Sequence, residues 1–118
     1  MAHSNPRSLV HSFTPAADTT GKETVAEIGQ GSAFYAEEVE YYVTSDPAAE
    51  IEIGLFNGQT LVAPDDDRLT VTQSDMSLRV GSMYDVGDSI TLRFTTTASY
   101  TGGEITVVVN GKNWDEGV

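Results

Sequence analysis

A chain of 118 residues with 18 acidic and 6 basic side chains carries a formal net charge of −12 and holds no cysteine. The length suits one domain around one core, the charge opposes DNA or RNA, whose binding needs cationic contacts to phosphate, and the missing thiols exclude disulfide frameworks, zinc ribbons and thiol catalysis. No apolar run reaches the ~18 residues of a membrane span and no charged start precedes an apolar block, so neither a transmembrane helix nor a secretory signal is expected.

The first 17 residues, MAHSNPRSLVHSFTPAA, hold Arg7, His3 and His11 but no acid, a formal +1, whereas residues 18–118 hold five cations and 18 acids, or −13. This segregation sets 1–17 apart as an N-terminal arm and 18–118 as the folded domain. Pro6 and Pro15 bracket an apolar patch of Leu9, Val10 and Phe13 within a weak strand signal, SLVHSFT (8–14). Such a segment can fray, complete its own domain, or add itself to a neighbour's sheet; on the last reading Arg7, Leu9, Val10 and Phe13 contact a partner. His3 and His11 have no serine or cysteine nucleophile context nearby and, in a terminal arm, no fixed geometry for a triad or a metal, and are expected to be free surface histidines.

Beyond the arm, apolar residues recur at period two, the mark of half-buried strands. ETVAEIG (23–29) is a weak candidate. In AEEVEYYVT (36–44), Val39, Tyr41 and Val43 share one face and Glu38, Glu40 and Tyr42 the other; in EIEIGLF (50–56), Ile51, Ile53 and Leu55 oppose Glu50, Glu52 and Gly54. If these two runs pair, Glu38, Glu40, Glu50 and Glu52 form a like-charge ladder, which costs stability in water. A short helical turn is expected near residues 46–49. The same beat continues in RLTVTQ with Leu69 and Val71, MSLRVG with Met76, Leu78 and Val80, SITLRF with Ile90, Leu92 and Phe94, and EITVVVNG with Ile105, Val107 and Val109. Turn residues such as Asn57-Gly58, Gly87-Asp88 and Gly102-Gly103 separate the runs. The spacing predicts an all-β fold, a single antiparallel β-sandwich, with a jelly roll preferred and an immunoglobulin-like arrangement as the alternative.

No motif carries catalytic chemistry. Asp65, Asp66 and Asp67 follow a proline consecutively, whereas calcium loops alternate their ligands and include a turn glycine; they read as a solvated, salt-adapted turn, with a cation loop as the alternative. Phe34, Tyr35, Tyr41 and Tyr42 form an aromatic cluster. Alternation sends Tyr41 inward and leaves Tyr42 outward as a contact residue, and Trp114 after the last strand pins the tail to the domain or to a neighbour. No cofactor is expected.

Two lysines among six cations, with abundant Thr, Ala, Gly and Asp, resemble the composition of proteins from extreme halophiles, where salt screens carboxylate repulsion; an ordinary acidic bacterial or phage domain is the alternative. The rhythm of VGDSITLRFTTTASYTGGEITVVVNG, and of FYAEEVEYYVTSDPAAEIEIGLF taken as a hairpin, resembles the small β-sandwich structural proteins of virions, the capsid decoration, turret and spike-base proteins of tailed viruses. Joined to the acidity, it looks like such a protein from a virus of halophilic archaea. The likeness spans roughly residues 30–111 and rests on strand rhythm and glycine-aspartate punctuation, so no functional residue is carried over. It implies a non-enzymatic homo-oligomer, trimer or pentamer, on the capsid exterior, with the major capsid protein or other virion proteins as partners and neither nucleic acid nor membrane. The alternative is a carbohydrate- or receptor-binding β-sandwich module of a viral spike or tail.

Overall fold

The computed structural model describes residues 3–29, 31–45, 50–64 and 68–115, without the side chains of residues 3, 4 and 115. Among the described residues nine strands follow in chain order: β1 (His3–Phe13), β2 (Thr20–Glu27), β3 (Ala33–Val43), β4 (Ile51–Asn57), β5 (Thr60–Ala63), β6 (Leu69–Thr70), β7 (Asp75–Tyr84), β8 (Ser89–Thr96) and β9 (Ile105–Asp115). The helical turn expected near 46–49 and the aspartates 65–67 lie outside the described residues.

All pairings are antiparallel, and they nest. β1 pairs with β9, β2 with β8, β3 with β7, and β4 with both β5 and β6. Cross-pairings of β3 with β9 and β4 with β8 close two sheets, β1-β9-β3-β7 and β2-β8-β4-β5, with β6 added to β4. A long hairpin folded over into two facing sheets is a jelly roll. The immunoglobulin-like alternative fails because it keeps strands A and B in one sheet, whereas β1 and β2 lie in different sheets.

The two inner faces supply one core. Phe34, Val39, Tyr41, Tyr84, Ile105, Val107 and Val109 come from the first sheet, and Ile51, Ile53, Leu55, Ile90 and Leu92 from the second, each at most 1% exposed. At about 1.5 to 3 kcal/mol for each fully buried side chain before ordering costs, this interleaved layer is the main source of stability in a chain without disulfides.

Three features depart from the pattern expected. The runs at 36–44 and 50–56 are not a hairpin: β3 and β4 occupy opposite sheets, so Glu38 and Glu40 lie apart from Glu50 and Glu52 and no four-carboxylate ladder forms. The chain crosses between sheets there, as the nested pairing requires. RLTVTQ shrinks to the two residues of β6, with Val71 buried just after it. A further short strand, β5, follows a two-residue turn in which Gly58 takes a φ of 62°, as tight hairpins demand.

The segment set apart as an arm enters the first sheet. From His3 to Phe13 it is β1, in register with β9 from Asp115 to Ile105, and it forms that sheet's edge. Leu9 sits opposite Val109 and is 8% exposed, while its neighbour Val10 is 62% exposed; the period of two puts one in the core and the other in solvent.

Candidate interaction face

The outer surface of the first sheet is where the exposed apolar side chains gather. Five large hydrophobic residues are exposed among the described residues: Val10, Tyr42, Met83, Val86 and Trp114. Strand parity places Val10, Tyr42, Met83 and Trp114 on this one surface, since Leu9, Tyr41, Tyr84 and Val109 point the other way into the core. Single exposed apolar residues need no explanation, but a cluster does.

Two of the four, Met83 and Trp114, come together at one end of the sheet. Register sets Tyr35 beside both Met83 and Lys112, and Trp114 beside Ala33. Tyr35, Met83, Lys112 and Trp114 enclose a shallow cleft of about 310 Å³. A second cleft of about 480 Å³ shares Met83 and Trp114 and continues over Ala33 to Val86 in the loop after β7. Lys112 Nζ stands 3.8 Å from Glu37 Oε2 at the rim.

A bulge shapes this end. β3 slips register against both β7 and β9 between Ala36 and Glu38, and Gly81 on β7 opposite takes a φ of 80°. The extra residue, Glu37, turns out beside Lys112, and the local twist that bulges introduce separates the aromatic end from a polar centre. Gly111 passes beneath the bulge so closely that a Cβ there would meet the Tyr35 carbonyl oxygen.

The polar centre is a chain of hydrogen bonds. Ser8 Oγ donates to Asn110 Oδ1 at 2.6 Å, and Asn110 Nδ2 donates to Glu38 Oε1 and Glu40 Oε1, each at 3.2 Å. Tyr42 Oη donates to Glu40 Oε2 at 2.7 Å. The Tyr42 bond, with contributions from Glu38 and Asn110, holds the Glu40 carboxyl below the ordinary carboxylate range, and the same bond raises the Tyr42 phenol. A general acid at neutral pH needs a raised carboxyl, so Glu40 is displaced in the opposite sense. Among the described residues no three His, Asp or Glu side chains gather as a metal site.

The residues singled out as partner contacts divide. Val10, Tyr42 and Trp114 share the outer face but do not meet: Tyr42 lies opposite Thr106 on β9, eight residues or about 27 Å of strand from Trp114. Leu9 belongs to the chain's own core. Phe13 packs on that core with its ring 5.2 Å from Phe94 and 6.0 Å from His11. Arg7 is exposed and donates to Asn113 Oδ1 at 3.1 Å. His11 is not a free surface histidine: its Nε2 lies 2.8 Å from Glu23 Oε1, joining the edge strands β1 and β2 of the two sheets. Tyr35 belongs to the aromatic cluster named from the sequence, whereas Met83, Val86 and Lys112 carry no such signal; the run MSLRVG stops at Gly81, and only continued alternation through Ser82 and Tyr84 turns Met83 outward.

No family model matches this chain, and no curated protein matches it. Solved structures do match. A protein of the disulfide-linked pili that form Bacillus endospore appendages is 16% identical with a TM-score of 0.55, over 94% of this chain and 89% of that one. A protein of the capsid of Helicobacter pylori bacteriophage KHP30 is 10% identical with a TM-score of 0.54, over 95% and 93%. The virus-like particle of extra small virus from the giant freshwater prawn Macrobrachium rosenbergii gives 12% identity and a TM-score of 0.55, over 99% and 81%. The chain shares its fold with viral capsid and pilus proteins. At these identities the likeness is one of fold.

Proposed function

We propose that this chain is a non-enzymatic structural protein of a virion, a homo-oligomeric decoration or turret subunit on the capsid exterior. The observation that carries the reading is the asymmetry of the jelly roll: among the described residues, four of the five exposed large hydrophobic side chains fall on one outer sheet face, in a chain whose net charge of −12 would otherwise keep it dispersed. Apolar docking through Tyr35, Met83 and Trp114 is not weakened by salt, and salt screens the repulsion between acidic bodies to within a Debye length of roughly 3 Å at 1 M. The acidity therefore suits a particle assembled in brine, such as one infecting a halophilic host. Disulfide-linked pilus assembly is not open to these residues, which include no cysteine.

The test is binding to particles stripped of this chain, in molar KCl, together with mass spectrometry of intact virions. The reading expects saturable rebinding that is lost on replacing Trp114 by serine, and peptides of this chain in stoichiometric amount. A chain absent from purified particles, or one that does not rebind, overturns it.

A further inference from the structure

The opposite sheet holds an arrangement that assembly through the first face leaves unexplained. Lys22 on β2 lies directly across from Arg93 on β8, and both point outward, because their neighbours Gly21 and Phe94 pack on one another inside. Like charges directly opposite on a sheet destabilise it. This chain has 18 acids available for only 6 cations, yet neither of these two makes an ion pair among the described residues, where Lys112 does pair with Glu37.

Arg93 is held in place. Its Nη2 donates to Gly58 O at 3.2 Å and to Gln59 Oε1 at 3.0 Å, and its guanidinium sits 4.5 Å from the centre of the Phe56 ring. Both Nη2 hydrogens are thereby used, which leaves Nε and Nη1 as two separate, single donors for another acceptor. Gln59, by accepting through its oxygen, keeps its amide nitrogen as a donor. Lys22, Arg93, Gln59, Ser89 and Thr91 line an open cleft of about 340 Å³. One acid, Asp88, also lines it, but Asp88 Oδ2 already accepts from Asn57 Nδ2 at 3.3 Å and from the Asp85 amide at 2.8 Å. Two cations and one acid leave the cleft at +1 in a chain of −12.

We propose that this cleft binds an oxoanion, a carboxylate, sulfate or phosphate group, held between the Lys22 ammonium and a remaining single donor of Arg93. Such a group neutralises the like-charge pair and meets donors already fixed in space, which lowers the ordering cost of binding. The cleft has room for the group together with about one attached ring, so both a free oxoanion and the carboxylate of an acidic sugar fit it.

The experiment is amide-resolved NMR titration of the full chain with potassium sulfate, potassium phosphate and potassium glucuronate, at ionic strength fixed with KCl. Saturable shifts confined to Lys22, Gly58, Gln59, Thr91 and Arg93 are expected with at least one of the three. Saturation by the inorganic ions alone assigns a free ion, and saturation by glucuronate alone assigns a sugar acid. Lys22→Gln should weaken binding about tenfold, and Lys22→Glu should abolish it while raising the melting temperature of the anion-free protein, because it turns a repulsive pair into an attractive one. The stability gain shows that the variant is folded. No saturable shift with any of the three anions, or undiminished binding by Lys22→Glu, overturns the proposal.

Discussion

Gly111→Ala tests the packing of the bulged sheet at its tightest point. A Cβ at residue 111 falls on the carbonyl oxygen of Tyr35 and comes within 2.8 Å of Phe34 Cζ. Phe34 is fully buried, and Tyr35 belongs to β3, which is paired on both sides. A flexible side chain could move away; a backbone carbonyl held in the middle of a sheet cannot. Overpacking in cores typically costs about 1 to 3 kcal/mol, occasionally more, and with backbone as the obstacle we expect about 3 kcal/mol. For a domain of this size that lowers the melting temperature by roughly 12 °C. Two other glycines calibrate the result. A Cβ at Gly21 meets only the tip of the Phe94 ring, at 2.9 Å, and one at Gly29 meets nothing within 4 Å. Thermal unfolding followed by circular dichroism in one KCl buffer should therefore rank Gly29→Ala near wild type, within about 0.5 kcal/mol, Gly21→Ala lower and Gly111→Ala lowest. Gly111→Ala melting alongside Gly29→Ala would refute the register of β3 against β9.

Further expectations concern the buried phenols and the edge strand. Tyr41 Oη is buried with no hydrogen-bond partner among the described residues, whereas Tyr84 Oη donates to Phe56 O at 3.1 Å; denaturant melts should show Tyr41→Phe stabilising by about 1 kcal/mol and Tyr84→Phe destabilising by about as much. Burial raises the pKa of both phenols above the ordinary 10.0. The unfolded chain therefore loses these protons first, and stability should fall as pH rises above about 10, by about 1.4 kcal/mol per pH unit for each ring; a chemical-denaturation series that stays flat there contradicts this burial. Leu9→Ala should cost about 2 to 5 kcal/mol while Val10→Ser stays within about 0.5 kcal/mol, and deletion of residues 2–12 should unfold or aggregate the domain by baring the edge of β9, as melting and light scattering would show.

The strands were legible because burial of one sheet face imposes a period of two, and Val39, Tyr41, Val43, Ile51, Ile53 and Leu55 all obey it. Their partners were not. Alternation states which side of a strand is apolar and not which strand lies beside it, so β3 and β4, adjacent in sequence and equally regular, gave the look of a hairpin while belonging to opposite sheets. β5 escaped because four residues are too few to show a period. The choice among the readings of the arm is hidden for a related reason: charge marks 1–17 as distinct, but the pairing of Leu9 with Val109 depends on a strand about 100 residues away. Trp114 and Tyr42 were readable as outward aromatics. Met83 and Val86 were not, since Gly81 interrupts the run where the bulge allows the strand to continue. The Lys22 and Arg93 pair lies 71 residues apart in sequence and becomes a site only through the register of β2 on β8.

The central claim, that the outer face of β1-β9-β3-β7 is an assembly surface, is tested most directly by sedimentation equilibrium in molar KCl. Wild type should form a closed oligomer. The double variant Met83→Ser and Trp114→Ser should sediment as a monomer while keeping a cooperative melt, because neither side chain belongs to the buried core. A wild type that stays monomeric, or a double variant that assembles as well as wild type, contradicts the claim.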